Sequence, residues 1–148
     1  MKIAIGADHR GYLLKESIKN FLVEKKFSVD DVGTNSTDSV DYPDIASAVA
    51  KKLQNKECER GIIICGSGVG ACVAANKFKG IRAAICHDVF SAHQGVEDDA
   101  MNVLCLGGEI VGESLAKEII LSFLSAKFIE EERYKRRLEK VKKFEEGN

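Results

Sequence analysis

Short apolar runs alternate with longer stretches of helical periodicity along almost the whole chain. Few folds accept that alternation. Parallel strands are buried on both faces, so they read as continuous apolar runs, and joining them takes crossovers that are usually helices. The pattern predicts a strand over Lys2–Gly6 and a helix over Gly11–Lys26, with Leu13, Leu14, Ile18, Phe21 and Leu22 on one face. A second strand, Phe27–Val32, ends at Gly33, and a polar loop over Thr34–Tyr42 leads to Pro43, which suits the first turn of a helix. Ile45, Val49 and Leu53 give that helix its stripe. Next come a strand over Gly61–Cys65, a helix over Val69–Phe78, a strand over Arg82–Cys86, a short helix over Asp88–Val96 and a strand over Asn102–Leu106. A helix over Gly112–Leu124 turns Leu115, Ile119 and Phe123 inward. With no repeat, linker or low-complexity segment, residues 1–148 read as one three-layer α/β domain.

Composition narrows the function classes. A chain of 148 residues, 45% hydrophobic and 30% charged, has the balance of a soluble globular protein. A formal net charge of −1 argues against nucleic acid or a membrane surface as a partner. No apolar run is long enough to cross a bilayer, and Ile3-Ala4-Ile5 runs straight into Asp8-His9-Arg10, which no secretory leader would do. The expected location is the cytoplasm. The five cysteines (Cys58, Cys65, Cys72, Cys86 and Cys105) contain no C-x-x-C pair and read as free thiols.

The segment from Ile129 to Glu146 differs in kind. It is highly charged, and Tyr134, Leu138 and Val141 make only a narrow apolar stripe, as on a helix that packs on a rim or on another subunit. A solvated face is the plain reading of such a run. Arg133 and Arg137, spaced i and i+4, nevertheless share one side and are able to grip one anion together.

Ligands of an open parallel sheet bind beyond the carboxyl ends of its strands. After the third strand comes Cys65-Gly66-Ser67-Gly68-Val69-Gly70, whose three glycines let the backbone curl and present N–H groups. The familiar glycine motifs do not fit. The dinucleotide spacing G-x-G-x-x-G and its later acidic residue are missing, as is the Gly-Lys-Ser/Thr of a phosphate-binding loop. Cys65 and Val69 fill the glycine positions of a nucleophile elbow. Two readings stay open on spacing alone. Cys65 is either a buried strand-end cysteine among glycines needed for packing, or a nucleophile or base beside donors that hold an oxyanion. His9 lies outside any apolar run and reads as a site residue, whereas His87 and His93 are ambiguous. Metal-ligand spacings are lacking, so no metal site is expected.

Five ordered blocks carry a resemblance: Gly6-Ala7-Asp8-His9-Arg10-Gly11, Asp41-Tyr42-Pro43-Asp44, Ile64 through Gly70, Ala74-Ala75-Asn76-Lys77 and Gly80-Ile81-Arg82-Ala83. Together they resemble the type B ribose-5-phosphate isomerases, a family that includes the galactose-6-phosphate isomerase subunits, over essentially the whole chain. The resemblance implies a Rossmann-like α/β/α sandwich with a five-stranded parallel sheet and a protruding C-terminal helix. It implies a homodimer or dimer of dimers with shared active sites, and no metal or redox cofactor. By the same analogy, Cys65 moves a proton between the two carbons of an aldose–ketose pair, with Ser67 beside it. The loop of Gly66, Gly68, Val69 and Gly70 then holds the enediolate. Asp8, His9, Asp41, Tyr42 and Asn102 bind the sugar, and Arg133 and Arg137 hold its phosphate. The small molecule expected is ribose 5-phosphate, in pentose phosphate metabolism. A tetrose 4-phosphate or hexose 6-phosphate is the alternative, and a non-catalytic sugar-phosphate-binding module stands behind both.

Two departures from the family pattern bear on that expectation. Asp98, within Glu97-Asp98-Asp99, stands where many members carry a ring-opening histidine and is expected as a catalytic residue there, with His93 or His9 as the other candidates for opening the ring; Glu109 stands where a phosphate-contacting arginine is common.

Overall fold

The computed structural model describes residues 1–147. Five strands, β1 (Lys2–Ala7), β2 (Ser28–Asp31), β3 (Arg60–Cys65), β4 (Ala83–Ile85) and β5 (Val103–Gly107), pair in the order β2-β1-β3-β5-β4. Every pairing is parallel. The helices are α1 (Tyr12–Glu24), α2 (Tyr42–Gln54), α3 (Val69–Ala75), α4 (Val89–Asp99), α5 (Glu113–Ser125) and α6 (Glu132–Gly147). This is the Rossmann-like α/β architecture with an added C-terminal helix.

Strand alternation divides the core in two. Ile62, Ile64, Leu104 and Leu106 face the layer of α1, α4 and α5, while Ile63, Cys65, Val103 and Cys105 face α2 and α3. The catalytic candidate Cys65 therefore points toward the α2–α3 side. Arg60, at the start of β3, ties the layers together by donating to the carbonyls of Phe123 and Ala126 where α5 ends.

Several boundaries and two stripes differ from expectation. Leu13 is 74% exposed and Leu115 is 41% exposed, so neither belongs to the core. On α1 the inward line runs through Lys15, Ile18 and Leu22, and the fully buried Lys15 ammonium sits 2.8 Å from both carboxylate oxygens of Asp31. A paired lysine thus takes a place that apolar periodicity assigns to leucine. Helix α3 stops at Ala75 rather than Phe78 because Asn76 turns aside to bond the edge strand. Its amide donates to the Ala83 carbonyl at 2.9 Å and accepts the Ala83 N–H at 2.8 Å. Helix α4 runs past Val96 to Asp99, so Asp98 lies in a helical turn.

Helix α6 begins at Glu132, not Ile129, and none of its residues is buried. Leu138 and Val141 border a cavity of about 220 Å³ against β4 and α4, and Glu145 accepts the Gly80 N–H at 2.9 Å. The helix therefore lies across the edge strand.

Candidate active site

The chain leaves β1 for the edge strand β2 and returns to β3 on the other side of β1. That reversal opens a crevice at the carboxyl ends of β1 and β3, the place where open α/β sheets bind ligands. The β1 end is folded tightly. Asp8 is buried, and its Oδ1 accepts the N–H groups of Arg10 at 2.9 Å and Gly11 at 3.2 Å, closing the turn into α1. Only glycine fits at position 11, since a Cβ there collides with the Ile64 carbonyl.

The β2–α2 loop is clasped to the same strand end. Ala7 donates to the Gly33 carbonyl at 2.8 Å, and Thr34 donates back to the Ala7 carbonyl at 2.7 Å. Farther along, the Val40 N–H donates to His9 Nδ1 at 3.2 Å. With Nδ1 an acceptor, the proton of the neutral ring sits on Nε2, ready to be donated. A cleft of about 470 Å³ opens there, lined by Asp8, His9, Arg10, Asp41 and Tyr42 among others. The Tyr42 ring leans on the glycine loop.

Cys65 ends β3, is 5% exposed, and receives the Gly68 N–H on its Sγ at 3.1 Å. Gly68 reaches that position with φ +85°, a conformation that favours glycine, and it packs against the backbone of Leu106. The Cys65 carbonyl accepts the Gly108 N–H at 2.7 Å, which fixes the strand end from the β5 side. Ser67 is exposed beside the thiol, and its Oγ accepts the Val69 N–H at 3.3 Å. A buried sulfur, a backbone donor and a neighbouring hydroxyl are the parts of a proton-transfer site with oxyanion support.

Within one chain the structure gathers Cys65, Ser67, Gly66, Gly68, Val69, Gly70, Asp8, His9, Asp41 and Tyr42 at this edge. The remaining candidates lie elsewhere. Helix α4 starts near the carboxyl edge and runs back about 16 Å, so Asp98 in its last turn is at the amino edge. Its Oδ2 accepts the Gln94 side-chain amide at 2.6 Å. Asn102 precedes β5 at that same far edge. Its amide accepts the Arg82 N–H at 2.8 Å and donates to the Gly80 carbonyl at 2.9 Å, so both ends are committed to backbone. Arg133 lies over the Tyr134 ring at 4.7 Å and bonds Glu131, while Arg137 is exposed and acts electrostatically on Asp99. Both arginines lie on α6, which crosses the edge strand β4, two strands away from β3.

Two further residues stand at the site, His87, which the sequence leaves ambiguous, and Arg10, to which it assigns no role. His87 Nε2 accepts the Gly107 N–H at 3.1 Å and so braces the end of β5. Arg10 lies over Gly66 and pairs with Glu109. Its signal was its place next to His9 at a strand end. Among the described residues, no group of three or more His, Cys, Asp or Glu side chains is arranged to hold a metal ion. Nor is any helix among them long and apolar enough to cross a membrane.

Residues 3–141 match the family described as Ribose/Galactose Isomerase. The chain belongs to this family. Ribose-5-phosphate isomerase B of Escherichia coli (strain K12) is 43% identical over 145 residues, covering 98% of this chain and 97% of that protein. D-erythrulose-4-phosphate isomerase of Pectobacterium atrosepticum is 41% identical over 129 residues, covering 86% and 85%. The solved structure of Clostridium thermocellum ribose-5-phosphate isomerase B superposes with a TM-score of 0.96 at 44% identity, over 99% of this chain and 98% of that one. The chain is thus an aldose–ketose isomerase of the sugar-phosphate class.

Proposed function

We propose that the chain interconverts ribose 5-phosphate and ribulose 5-phosphate through an enediolate, with Cys65 as the base. The observation that carries this reading is the Gly68 N–H on Cys65 Sγ at 3.1 Å, at the crevice between β1 and β3 and beside the Asp8–His9 turn. Cys65 takes the proton from C2 of the open-chain aldose and returns it to C1. The O2 hydroxyl proton passes to O1, with the Ser67 hydroxyl as the relay. The loop from Gly66 to Gly70 supplies N–H donors to the oxygen on which charge develops. His9 Nε2–H and the Asp41–Tyr42 segment hold the sugar hydroxyls.

The site is completed by a second copy of the chain, which brings Asp98, Arg133 and Arg137. Three features support this arrangement. Asp98 ends α4 at the opposite edge of the sheet, α6 carries both arginines along the edge strand β4, two strands from β3, and Val69 and Val73 expose an apolar face of α3 next to Ser67. The homodimer is the smallest assembly that meets the requirement.

The test is the enzyme's action on ribose 5-phosphate in deuterated water. Turnover should label the carbon next to the carbonyl, and Cys65→Ser should lower it by about 100-fold or more while the fold is kept. A wild-type protein that binds the sugar phosphate without exchanging that proton would be a binding module. Mixing Cys65→Ser and Arg137→Ala proteins tests the sharing of sites. Random exchange of subunits should restore about a quarter of wild-type activity, since half the dimers are hybrids with one intact site of two. No recovery after verified exchange would mean that each site is built by one chain.

A further inference from the structure

The cleft beside His9 is an acidic place for an anion to enter. Asp8, Asp41 and Asp44 line it, and among the described lining residues Arg10 is the one cation. The Arg10 side chain lies flat over the glycine loop, so that a Cβ on Gly66 would come within 2.5 Å of Arg10 Cζ. Opposite it stands Glu109, from the β5 end. Arg10 Nε donates to Glu109 Oε1 at 3.0 Å, and a second bond joins Nη2 to Oε2. The pair is bidentate, yet both side chains are just over half exposed, at 53% and 54%. Partners that open to solvent exchange easily, and such a pair contributes little to stability.

We propose that Arg10 is a phosphate contact of this site, held over the glycine loop by Glu109 until the substrate's phosphate takes the carboxylate's place. The inference rests on the sugar-phosphate reading above and names the residue that recognises the anionic group in the same chain as Cys65. A guanidinium fork suits the exchange because carboxylate and phosphate both accept two parallel N–H bonds from it. The position suits it too, since Asp8 and Cys65 are both near enough to act electrostatically on Arg10. The resting pair is well matched. The bond from Arg10 holds the Glu109 carboxyl below the usual range, so Glu109 is an anion that competes with phosphate at neutral pH. It acts as a gate: a neutral sugar lacks the charge to displace it, and a phosphate monoester does not.

The two halves of the pair must then have opposite effects. Inorganic phosphate is the probe, titrated into the full-length protein by calorimetry, with KM and kcat for ribose 5-phosphate measured alongside. Arg10→Met keeps the length of the side chain over Gly66 and should weaken phosphate binding about tenfold or more, with a rise in KM larger than the fall in kcat. Glu109→Gln should tighten phosphate binding about threefold to tenfold by removing the competitor. An ion pair that merely braces the two loops would give losses in the same direction for both variants. The proposal is overturned if Arg10→Met leaves phosphate affinity unchanged, if Glu109→Gln weakens it, or if the wild-type protein binds no phosphate. Phosphate binding that depends on Arg10 in a protein without isomerase activity would instead refute the assigned reaction and leave the contact standing.

Discussion

The Tyr42 ring rests on Gly70 so closely that a Cβ at position 70 would lie 2.6 Å from the ring's Cζ. That contact joins the start of α2 to the glycine loop across the cleft, and it sets where Tyr42 stands relative to Cys65. Because Tyr42 is an exposed side chain, an added methyl group displaces the ring and leaves the core intact. Gly70→Ala should therefore keep the melting temperature within a few degrees while lowering kcat/KM about tenfold. Tyr42→Ala added to Gly70→Ala should cost little more, since the two changes remove one contact. Additive losses in the double variant would show that the residues act separately.

Alkylation offers a second handle on the site, with a complication that the structure supplies. Cys72 is held down to about 7, chiefly by its hydrogen bond with Cys105; burial opposes this, while Ile85 and Asn76 add to it. Burial pushes Cys86 up to about 11, and Cys105 lies well above the usual thiol range because of its bond to Cys72 and its own burial. Iodoacetamide should thus modify Cys72 at a rate that climbs through pH 7 and levels off above it, with Cys86 and Cys105 spared. Sugar phosphate should protect Cys65 and leave the labelling of Cys72 unchanged. Peptide mass mapping at several pH values separates the two. Labelling of Cys72 that begins only near pH 9 would contradict the assignment.

The buried ion pair behind the site bears on stability. Lys15 is enclosed, and Asp31 also accepts the Gly33 N–H at 2.9 Å, in the loop that clasps the end of β1. Lys15→Met should cost about 3 kcal/mol, because it leaves a largely buried carboxylate with a lost partner. Burial works to raise the Asp31 carboxyl, but Lys15, the Gly33 N–H and Lys19 outweigh it and hold it below the usual range. A depressed carboxylate contributes stability above its unfolded value of about 4 and loses it as the pH falls through the folded value. Denaturant midpoints should fall below about pH 4 in the wild type and fall less steeply in Lys15→Met. Parallel acid limbs would remove Asp31 as their source.

Much of this architecture is legible in the amino-acid pattern, for reasons that also mark where legibility ends. Runs such as Ile62–Cys65 are apolar on both faces and have no other stable place than the middle of a sheet. The glycine loop announces itself because three glycines in five residues mark a tight strand-to-helix turn, with Gly70 already in the first turn of α3. Lys15 was invisible because its partner, Asp31, is 16 residues away and periodicity carries no information about pairing. Arg10 is hard to read from sequence for a similar reason: its contacts with Gly66 and Glu109 exist only once three strand ends converge. Asn102 is not legible in this way, because an asparagine before a strand looks alike whether its amide meets a ligand or, as here, the backbone of Gly80 and Arg82.

The sugar itself turns on Asp98. Ribose 5-phosphate is mostly cyclised, and opening its furanose ring requires a group that accepts one proton and returns another to the ring oxygen. Asp98 Oδ2 is engaged by the Gln94 amide at 2.6 Å, and the neighbouring Asp99 carboxyl is pushed up by burial and by Asp98 itself, so the patch is crowded with acidic groups. A histidine at position 98 would supply an acid–base group that titrates near neutral pH. Four-carbon sugar 4-phosphates need no such help, because the oxygen that would close a furanose carries the phosphate. Asp98→His should raise kcat/KM for ribose 5-phosphate about tenfold and leave that for erythrose 4-phosphate within about twofold. Asp98→Asn, which keeps an acceptor for Gln94 but cannot transfer a proton, should lower neither by more than about threefold. The measurement is kcat/KM for both sugars in all three proteins. A large loss for ribose 5-phosphate in Asp98→Asn would identify Asp98 as the ring-opening group. No gain in Asp98→His, with a strong wild-type preference for ribose 5-phosphate, would show that ring opening does not limit this enzyme.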